Sequence, residues 1–156
     1  LLSVQSQTPI IAAGNMQITD KPFRMPLRVY YEDTDSGGVV YYANYLRFME
    51  RARTEWLRAL GFEQDILIRD EGIIFAVRSA SLEYLRPARF NDQLLVGVRL
   101  AERRRASLSF EQAVTRADEE TLPLCTGTIR IACLSTDSLQ PCPIPSHMLK
   151  EIPDVD

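Results

Sequence analysis

Residues 30–45 read YYEDTDSGGVVYYANY, which places acidic residues and two glycines between an apolar run and an amphipathic segment. Residues 27–32, which overlap the start of this stretch, are rich in β-forming side chains and follow Pro26, so they predict a first strand. Residues 43–60 are predicted to form a helix that Gly61 ends. Its apolar face recurs at three- and four-residue spacing in Leu46, Met49, Ala52, Arg53, Trp56, Leu57 and Leu60.

The rest of the chain alternates apolar and polar residues in four further segments. Strands are predicted at residues 72–84, 93–103, 106–115 and 122–134, with turns at 87–92, 104–105 and 118–120. A strand, a long helix and then several antiparallel strands indicate an α+β fold, in which one sheet wraps around one helix. A carboxylate before the positive end of that helix makes the junction at residues 30–45 the best candidate site for chemistry.

Composition limits the other possibilities. The 156 residues suit one domain, and 18 basic against 21 acidic side chains give a net charge of −3, which indicates neither a nucleic-acid binder nor a membrane-surface binder. Three cysteines without a C-x-x-C motif favour a reducing compartment, and we expect a cytoplasmic protein. A single histidine, His147, cannot build a metal cluster, so it is assigned no role and no metal is expected.

The two ends of the chain differ in character from its middle. The short apolar patch at residues 9–13 follows no basic residue and is too short to cross a bilayer, so neither a signal peptide nor an integral membrane segment is expected. We divide the chain into a flexible N-terminal extension (1–25), a folded domain (26–136) and a Pro-rich C-terminal tail (137–156). Both ends are expected to be poorly ordered, with His147 a solvated tail residue.

Residues 35–45, with 29–34 before them and 50–55 after them, resemble the signature of hotdog-fold acyl-CoA thioesterases. The resemblance is strongest to the 4-hydroxybenzoyl-CoA thioesterase branch and, within it, to the Tol-Pal-associated bacterial enzymes; it extends from about Pro26 to about Ser135. It implies an antiparallel sheet around one long helix, and hydrolysis of acyl-CoA to a carboxylate and free coenzyme A without a cofactor. It also implies a homodimer or homotetramer with its active site at a subunit interface.

The resemblance assigns roles within the motif. Asp35 matches the nucleophile or general base, although its residue type alone favours a simple turn cap. Tyr42 matches the position whose backbone N–H polarises the thioester carbonyl, and many Tol-Pal-associated relatives carry histidine there. Gly37, Gly38 and Asn44 are assigned to substrate binding, with an ordinary tight turn as the alternative for the glycines. Asp33 is given a supporting role and Tyr45 a packing role.

Further residues are assigned to the two ends of the substrate. Arg103, Arg104, Arg105 and Ser107 match the basic turn that contacts the coenzyme A nucleotide in the family, with a solvated charged hairpin as the alternative. Arg78 and Arg86 are weaker candidates. Candidates for the acyl pocket are Leu46, Phe75, Val77 and Ser79.

Two alternatives remain open. A second branch of the superfamily carries its catalytic acid on the central helix, which makes Glu50 and Glu55 alternative nucleophiles. A weakly catalytic hotdog module that binds acyl chains or acyl carrier protein, in envelope or phospholipid metabolism, is the alternative function.

Overall fold

The computed structural model describes residues 23–155, which form one antiparallel sheet and one long helix with shorter helical segments around them. The strands are β1 (Phe23–Arg28), β2 (Ile73–Tyr84), β3 (Gln93–Arg103), β4 (Ser107–Arg116) and β5 (Glu119–Ser135). The helices are α1 (Asn44–Ala59), α2 (Gln64–Ile66), which continues as a π-helical turn over Leu67–Glu71, and α3 (Ser146–Glu151).

The five strands lie in the order β1-β3-β4-β5-β2, with every neighbouring pair antiparallel. The register of β2 against β5 shifts between Val77 and Ser79, and that of β3 against β4 shifts between Leu100 and Glu102. Such bulges increase the local twist and let a long sheet curve. The predicted α+β arrangement is confirmed, with β1 and β2 at the two edges of the sheet.

Helix α1 packs its apolar face on the sheet and carries much of the core. The buried side chains of this face are Tyr45, Phe48, Met49, Ala52, Trp56 and Leu57. Gly61 ends the helix with a φ of +98°, as predicted. The expectation that Leu46 belongs to the core face was wrong. Tyr45 and Phe48 occupy the sheet side of the first turn, and Leu46 is therefore 41% exposed.

The predicted first strand was displaced along the sequence. β1 begins at Phe23, before the domain boundary expected at residue 26, and pairs with β3 as far as Arg28. Residues Tyr31–Asp33 form a 3-10 helical turn instead of strand. In that turn the Asp33 Oδ2 accepts the Tyr30 N–H at 2.8 Å, and this local bond replaces a bond to a neighbouring strand.

The C-terminal segment packs against the domain, so the expectation of poor order was wrong as far as Ile152. Pro141 pairs with Leu134, and Ile144, Met148 and Ile152 are buried in the core. Burial of these apolar side chains favours docking of the segment, which its proline content did not indicate. His147 itself is exposed, and its Nε2 lies 2.5 Å from Glu71 Oε1. The N-terminal patch at residues 9–13 lies outside the described residues.

Within residues 23–155, no helix combines the length and the apolar character needed to cross a membrane.

Candidate active site

A tight hairpin connects the 3-10 turn to α1 and carries Asp35. Thr34 pairs with Val40, the Asp35 N–H donates to the Val39 carbonyl at 2.9 Å, and the Gly38 N–H donates to the Asp35 carbonyl at 3.0 Å. Gly38 has a φ of +77°, the left-handed region in which glycine is least strained. Val40 anchors the hairpin to the domain because its N–H donates to the Ala88 carbonyl at 2.8 Å.

The Asp35 carboxylate is exposed and only half engaged. Its Oδ1 accepts the Gly37 N–H at 2.8 Å, so the simple turn cap considered from the sequence is present. Its Oδ2 has no hydrogen-bond partner among residues 23–155. One oxygen therefore fixes the carboxylate to the hairpin while the other is available to a substrate or to water.

Asp33 and Asn44 hold the other side of the hairpin against α1. The Asp33 carbonyl accepts both the Tyr41 N–H and an Asn44 Nδ2–H, each at 2.9 Å. Asn44 is buried at the first position of α1, and its amide therefore ties the helix to the hairpin. This contact holds the hairpin that carries Asp35, and the assignment of Asn44 to substrate binding stays a prediction.

Tyr42 lies just before α1, with its side chain 61% exposed. In the part of the chain that the structure describes, its backbone N–H has no acceptor. This N–H precedes the N-cap Ala43 and so lies just outside the helix, near the positive end of the helix dipole, which favours a developing anion. Tyr42 thus supplies an unpaired donor two residues beyond the Val40 anchor of the Asp35 hairpin.

Tyr84, at the end of β2, contacts the Tyr42 residue directly, and sequence reasoning missed it. Its hydroxyl donates to the Tyr42 carbonyl at 3.1 Å, and its ring meets those of Tyr42 and Tyr45 edge-on, with centroids 6.1 and 5.6 Å apart. Burial, with the nearby Cys125 and Tyr42, raises the pKa of the Tyr84 phenol above its usual value. No local sequence signal indicates a contact that spans 42 residues.

Tyr45 packs as expected. It is 3% exposed, its hydroxyl accepts the Ala88 N–H at 3.1 Å, and burial raises the pKa of its phenol above the usual value. Because the Tyr45 hydroxyl has its hydrogen-bond partner inside the core, the Tyr45 ring is held in place, and the Tyr84 ring packs edge-on against it.

The arginines of the basic turn between β3 and β4 differ in whether their side chains have bonding partners among the described residues. Arg103 Nη1 donates to the Leu149 carbonyl at 2.7 Å and to the Ile152 carbonyl at 2.9 Å, and Arg103 also pairs with Asp154. Its guanidinium therefore holds the C-terminal segment, and its role as a nucleotide contact stays a prediction.

The neighbours of Arg103 have different surroundings. Arg104 is exposed and pairs with Glu102 at 2.6 Å, whereas Arg105 is exposed and has no ion-pair partner within residues 23–155. Ser107 is only 9% exposed at the start of β4, so its expected contact with the nucleotide is not supported by its position. Among the weaker candidates, Arg86 Nη1 donates to the Pro123 carbonyl at 3.1 Å, and Arg78 lies exposed at the β2 bulge.

The expected acyl-pocket residues fall on two faces of the sheet. Val77, paired with Ile131, lies on the core face of β2 and is 55% exposed because α1 does not reach that edge. Ser79, paired with Arg130 after the bulge, lies on the opposite face and cannot line the same pocket. Phe75 is half-buried against the core, and the exposed Leu46 of α1 is available beside the edge.

The acids of α1 lie on its outer face, away from the sheet. Glu55 pairs with Arg58, and Glu50 lies in an open polar groove beside Arg47 and Arg51. Neither is joined to the hairpin by any contact in the described part of the chain, so they remain weak alternatives to Asp35. The described residues contain no cluster of three or more metal-binding side chains.

Comparison with known proteins gives a consistent result. The thioesterase-like superfamily pattern matches residues 29–152. The acyl-CoA thioesterase YbgC of Haemophilus influenzae is 41% identical over 129 residues, which cover 83% of this chain and 93% of that protein. The acyl-CoA thioester hydrolase YbgC of Escherichia coli O6:H1 is 43% identical over 129 residues, with 83% and 94% covered.

A solved structure supports the same assignment. A probable thioesterase from Bartonella henselae superposes with a TM-score of 0.74 at 33% identity, covering 80% of this chain and all of that chain. The expected hotdog fold, a sheet around one central helix, is confirmed. This protein therefore belongs to the thioesterase-like superfamily of hotdog-fold proteins.

Proposed function

We propose that the protein hydrolyses the thioester bond of acyl-CoA, with the Asp35 carboxylate as nucleophile or general base. The observation that carries this proposal concerns two groups that have no hydrogen-bond partner within residues 23–155: the Oδ2 of Asp35, on the hairpin, and the Tyr42 N–H, just before α1. The acyl-CoA thioesterase names of the relatives agree with this chemistry. No metal or cofactor is needed, because both the reactive carboxylate and the anion-binding group belong to the chain.

The reaction follows from these two groups. The carboxylate either attacks the carbonyl carbon or removes a proton from a water molecule that attacks it. Negative charge then develops on the carbonyl oxygen, where the Tyr42 N–H stabilises it, and a preorganised donor of this kind contributes about 3 kcal/mol. The carbon–sulfur bond breaks, coenzyme A leaves as a thiolate that takes up a proton, and water supplies the second oxygen of the product acid. If Asp35 attacks directly, water then cleaves the mixed anhydride.

Tyr42 changes the chemistry relative to a histidine at the same position. The backbone N–H is present with either side chain, whereas an imidazole could also exchange protons near neutral pH. A phenol has an ordinary pKa of about 10 and stays protonated there. We therefore assign the acid–base work in this chain to Asp35 alone.

Coenzyme A carries phosphates, and we assign their recognition to Arg105 and Arg104. Arg105 supports this assignment best, because it is exposed at the β3–β4 turn without an ion-pair partner in the described residues. Arg guanidinium groups bind phosphate with paired, charge-assisted hydrogen bonds. Leu46 and Val77 are exposed apolar residues available to the acyl group, with Tyr42 and Tyr84 at its carbonyl end.

We propose a homodimer formed through the β2 edges, with a homotetramer as the larger assembly. β2 is twelve residues long and bonds to β5 on one side, while the described residues give its other side no strand. Cytoplasmic location is proposed from the three cysteines, because they form no disulfide within the described residues.

The first experiment measures free-thiol release from short, long and aromatic acyl-CoAs with the wild type and Asp35→Asn. Asparagine retains an Oδ1 that can accept the Gly37 N–H, so the variant removes the charge while keeping the hairpin. We expect turnover to fall by about two or more orders of magnitude. Asp118→Asn, in the exposed turn between β4 and β5, is the matched control and should retain wild-type turnover.

Other outcomes separate the alternatives. Equal activity of wild type and Asp35→Asn would show that the acid is misassigned and would move attention to Glu50 and Glu55. Wild-type protein that binds acyl-CoA or acyl carrier protein without thiol release would favour the binding module.

A further inference from the structure

Tyr84 lies where β2 meets the start of α1. It is the last residue of β2, pairs with Cys125 of β5, and is 49% exposed. Its hydroxyl donates to the Tyr42 carbonyl at 3.1 Å, which makes it the side chain that joins this edge strand to the proposed oxyanion-binding residue. A half-exposed tyrosine does not need this bond to satisfy its hydroxyl, since water would serve.

The Tyr84 ring is in contact with two other aromatic rings. It rests edge-on against Tyr45, which is held in the core by its own bond to Ala88, and on the other side it meets the ring of Tyr42. Edge-on aromatic contacts of this kind favour one relative orientation of the rings. The Tyr84 hydroxyl is therefore carried by a ring whose position is set by the buried Tyr45.

The backbone around Tyr42 is fixed from two sides. On the N-terminal side, the Tyr41 N–H is bonded to the Asp33 carbonyl at 2.9 Å. On the C-terminal side, the Tyr84 hydroxyl bonds the Tyr42 carbonyl before the chain enters α1. The Asn44 N–H also donates to the Tyr41 carbonyl, at 2.8 Å, and this bond restrains the peptide that carries the Tyr42 N–H. Removing the Tyr84 contact leaves that bond in place and frees the following peptide, between Tyr42 and Ala43, so the Tyr42 N–H loses one of its restraints.

We propose that Tyr84 is a positioning residue for the reaction: it acts through Tyr42 by holding the backbone N–H in line with the oxygen of the thioester carbonyl. This inference rests on the proposed function and adds to it a residue from the end of β2, 42 positions away from Tyr42 in the chain. A preorganised donor acts when charge develops on that oxygen, so its alignment affects the transition state more than the bound substrate.

The experiment compares Tyr84→Phe with Tyr45→Phe, two variants that each lose one hydroxyl and keep the ring. For Tyr84→Phe we expect kcat to fall about fivefold to tenfold, the effect of one neutral hydrogen bond, with KM and melting temperature unchanged. The factor should be the same for short, long and aromatic acyl-CoAs, because the carbonyl is common to all of them. Tyr45→Phe leaves the Ala88 N–H buried without its acceptor but keeps the ring that contacts Tyr84, so it should melt at a lower temperature and lose less kcat than Tyr84→Phe.

The outcomes distinguish the inference from the proposed function. An active wild type with an unchanged kcat in Tyr84→Phe overturns the positioning role and leaves the proposed function intact. A change that appears mainly in KM and differs among acyl groups shows that Tyr84 lines the acyl pocket, and this also overturns the inference. A wild type inactive on every acyl-CoA overturns the proposed function and, with it, the inference.

Discussion

Asp35 is an acid whose own turn engages one of its oxygens. The Gly37 N–H donates to Oδ1, which occupies one acceptor position of the carboxylate and fixes the direction of the side chain. An aspartate that only capped the turn would need nothing further, whereas an aspartate that reacts needs both a fixed side chain and a free oxygen. At the scale of the residue, the turn and the chemistry are therefore compatible, and the two readings of Asp35 do not exclude each other.

The two glycines of this hairpin should respond differently to alanine. A Cβ at Gly37 would lie 3.2 Å from Asp35 Oδ1, so Gly37→Ala should displace the carboxylate and lower kcat about tenfold. A Cβ at Gly38 meets nothing within 4 Å, but the φ of +77° strains any other residue. Gly38→Ala should therefore lower the free energy of unfolding by about 1 kcal/mol.

Urea unfolding and thiol release on the same two preparations test this contrast. Gly37→Ala should lose less stability than Gly38→Ala. The opposite ranking would mean that the Asp35 carboxylate does not give way to the added methyl group and that the clash strains the hairpin itself, whereas an unchanged kcat in Gly37→Ala would mean that the position of the carboxylate is not critical.

At the scale of the element, Arg103 connects β3 to α3. It bonds two carbonyls at the end of α3 as well as Asp154, and a cation at a helix C-terminus also meets the negative end of the helix dipole. Arg103→Ala should lower the free energy of unfolding by about 2 kcal/mol, because it leaves these carbonyls without their donor. Arg99→Ala removes a more exposed ion pair with Glu111 and should cost less than about 1 kcal/mol.

Denaturant unfolding of both variants measures the difference, and KM for acyl-CoA tests the reassignment. An unchanged KM in Arg103→Ala is expected, together with a raised KM in Arg105→Ala. A raised KM in Arg103→Ala at unchanged stability would restore the role in nucleotide binding that the sequence suggested.

The elements show which parts of the fold the sequence could predict. The bounds of α1 and of strands β2 to β5 were predicted to within a few residues, because the alternation of apolar and polar residues is present in each segment by itself. The docking of the C-terminal segment was missed, since it depends on Arg103 and on core residues far away in the chain. The end of β1 was misplaced for a local reason, because the bond from the Tyr30 N–H to Asp33 turns the backbone where β-propensity alone predicted a strand.

The residues of the candidate site also differ in how far the sequence could predict their positions and contacts. Asp35, its glycines and Tyr42 follow one another in the sequence, so a motif could indicate them. Tyr84 is separated from Tyr42 by 42 positions, and only the folded sheet brings its hydroxyl to that carbonyl. Ser107 and Arg103 lie in the expected basic turn, but their burial and bonding depend on strand pairing that the motif does not describe.

At the scale of the whole molecule, the two edges of the sheet differ. β1 is six residues long and contains Pro26, which cannot donate a hydrogen bond and discourages further pairing. β2 is twice as long, contains no proline and carries exposed apolar residues such as Val77. Long unprotected edges tend to pair with another strand, and a second copy of the same strand satisfies both edges at once.

Val77→Lys should therefore weaken the proposed dimer, because a two-fold axis perpendicular to the paired β2 strands near their middle would bring two like charges close together at an apolar contact. Size-exclusion chromatography with light scattering should show a shift toward monomer, and thiol release should fall in proportion if the active site needs both subunits. Leu122→Lys, which adds the same charge at an exposed position of β5, is the control and should keep the wild-type mass and activity. A Val77→Lys protein that keeps its mass would exclude the β2 edge as the interface, whereas a fully active monomer would show that one chain contains the complete site.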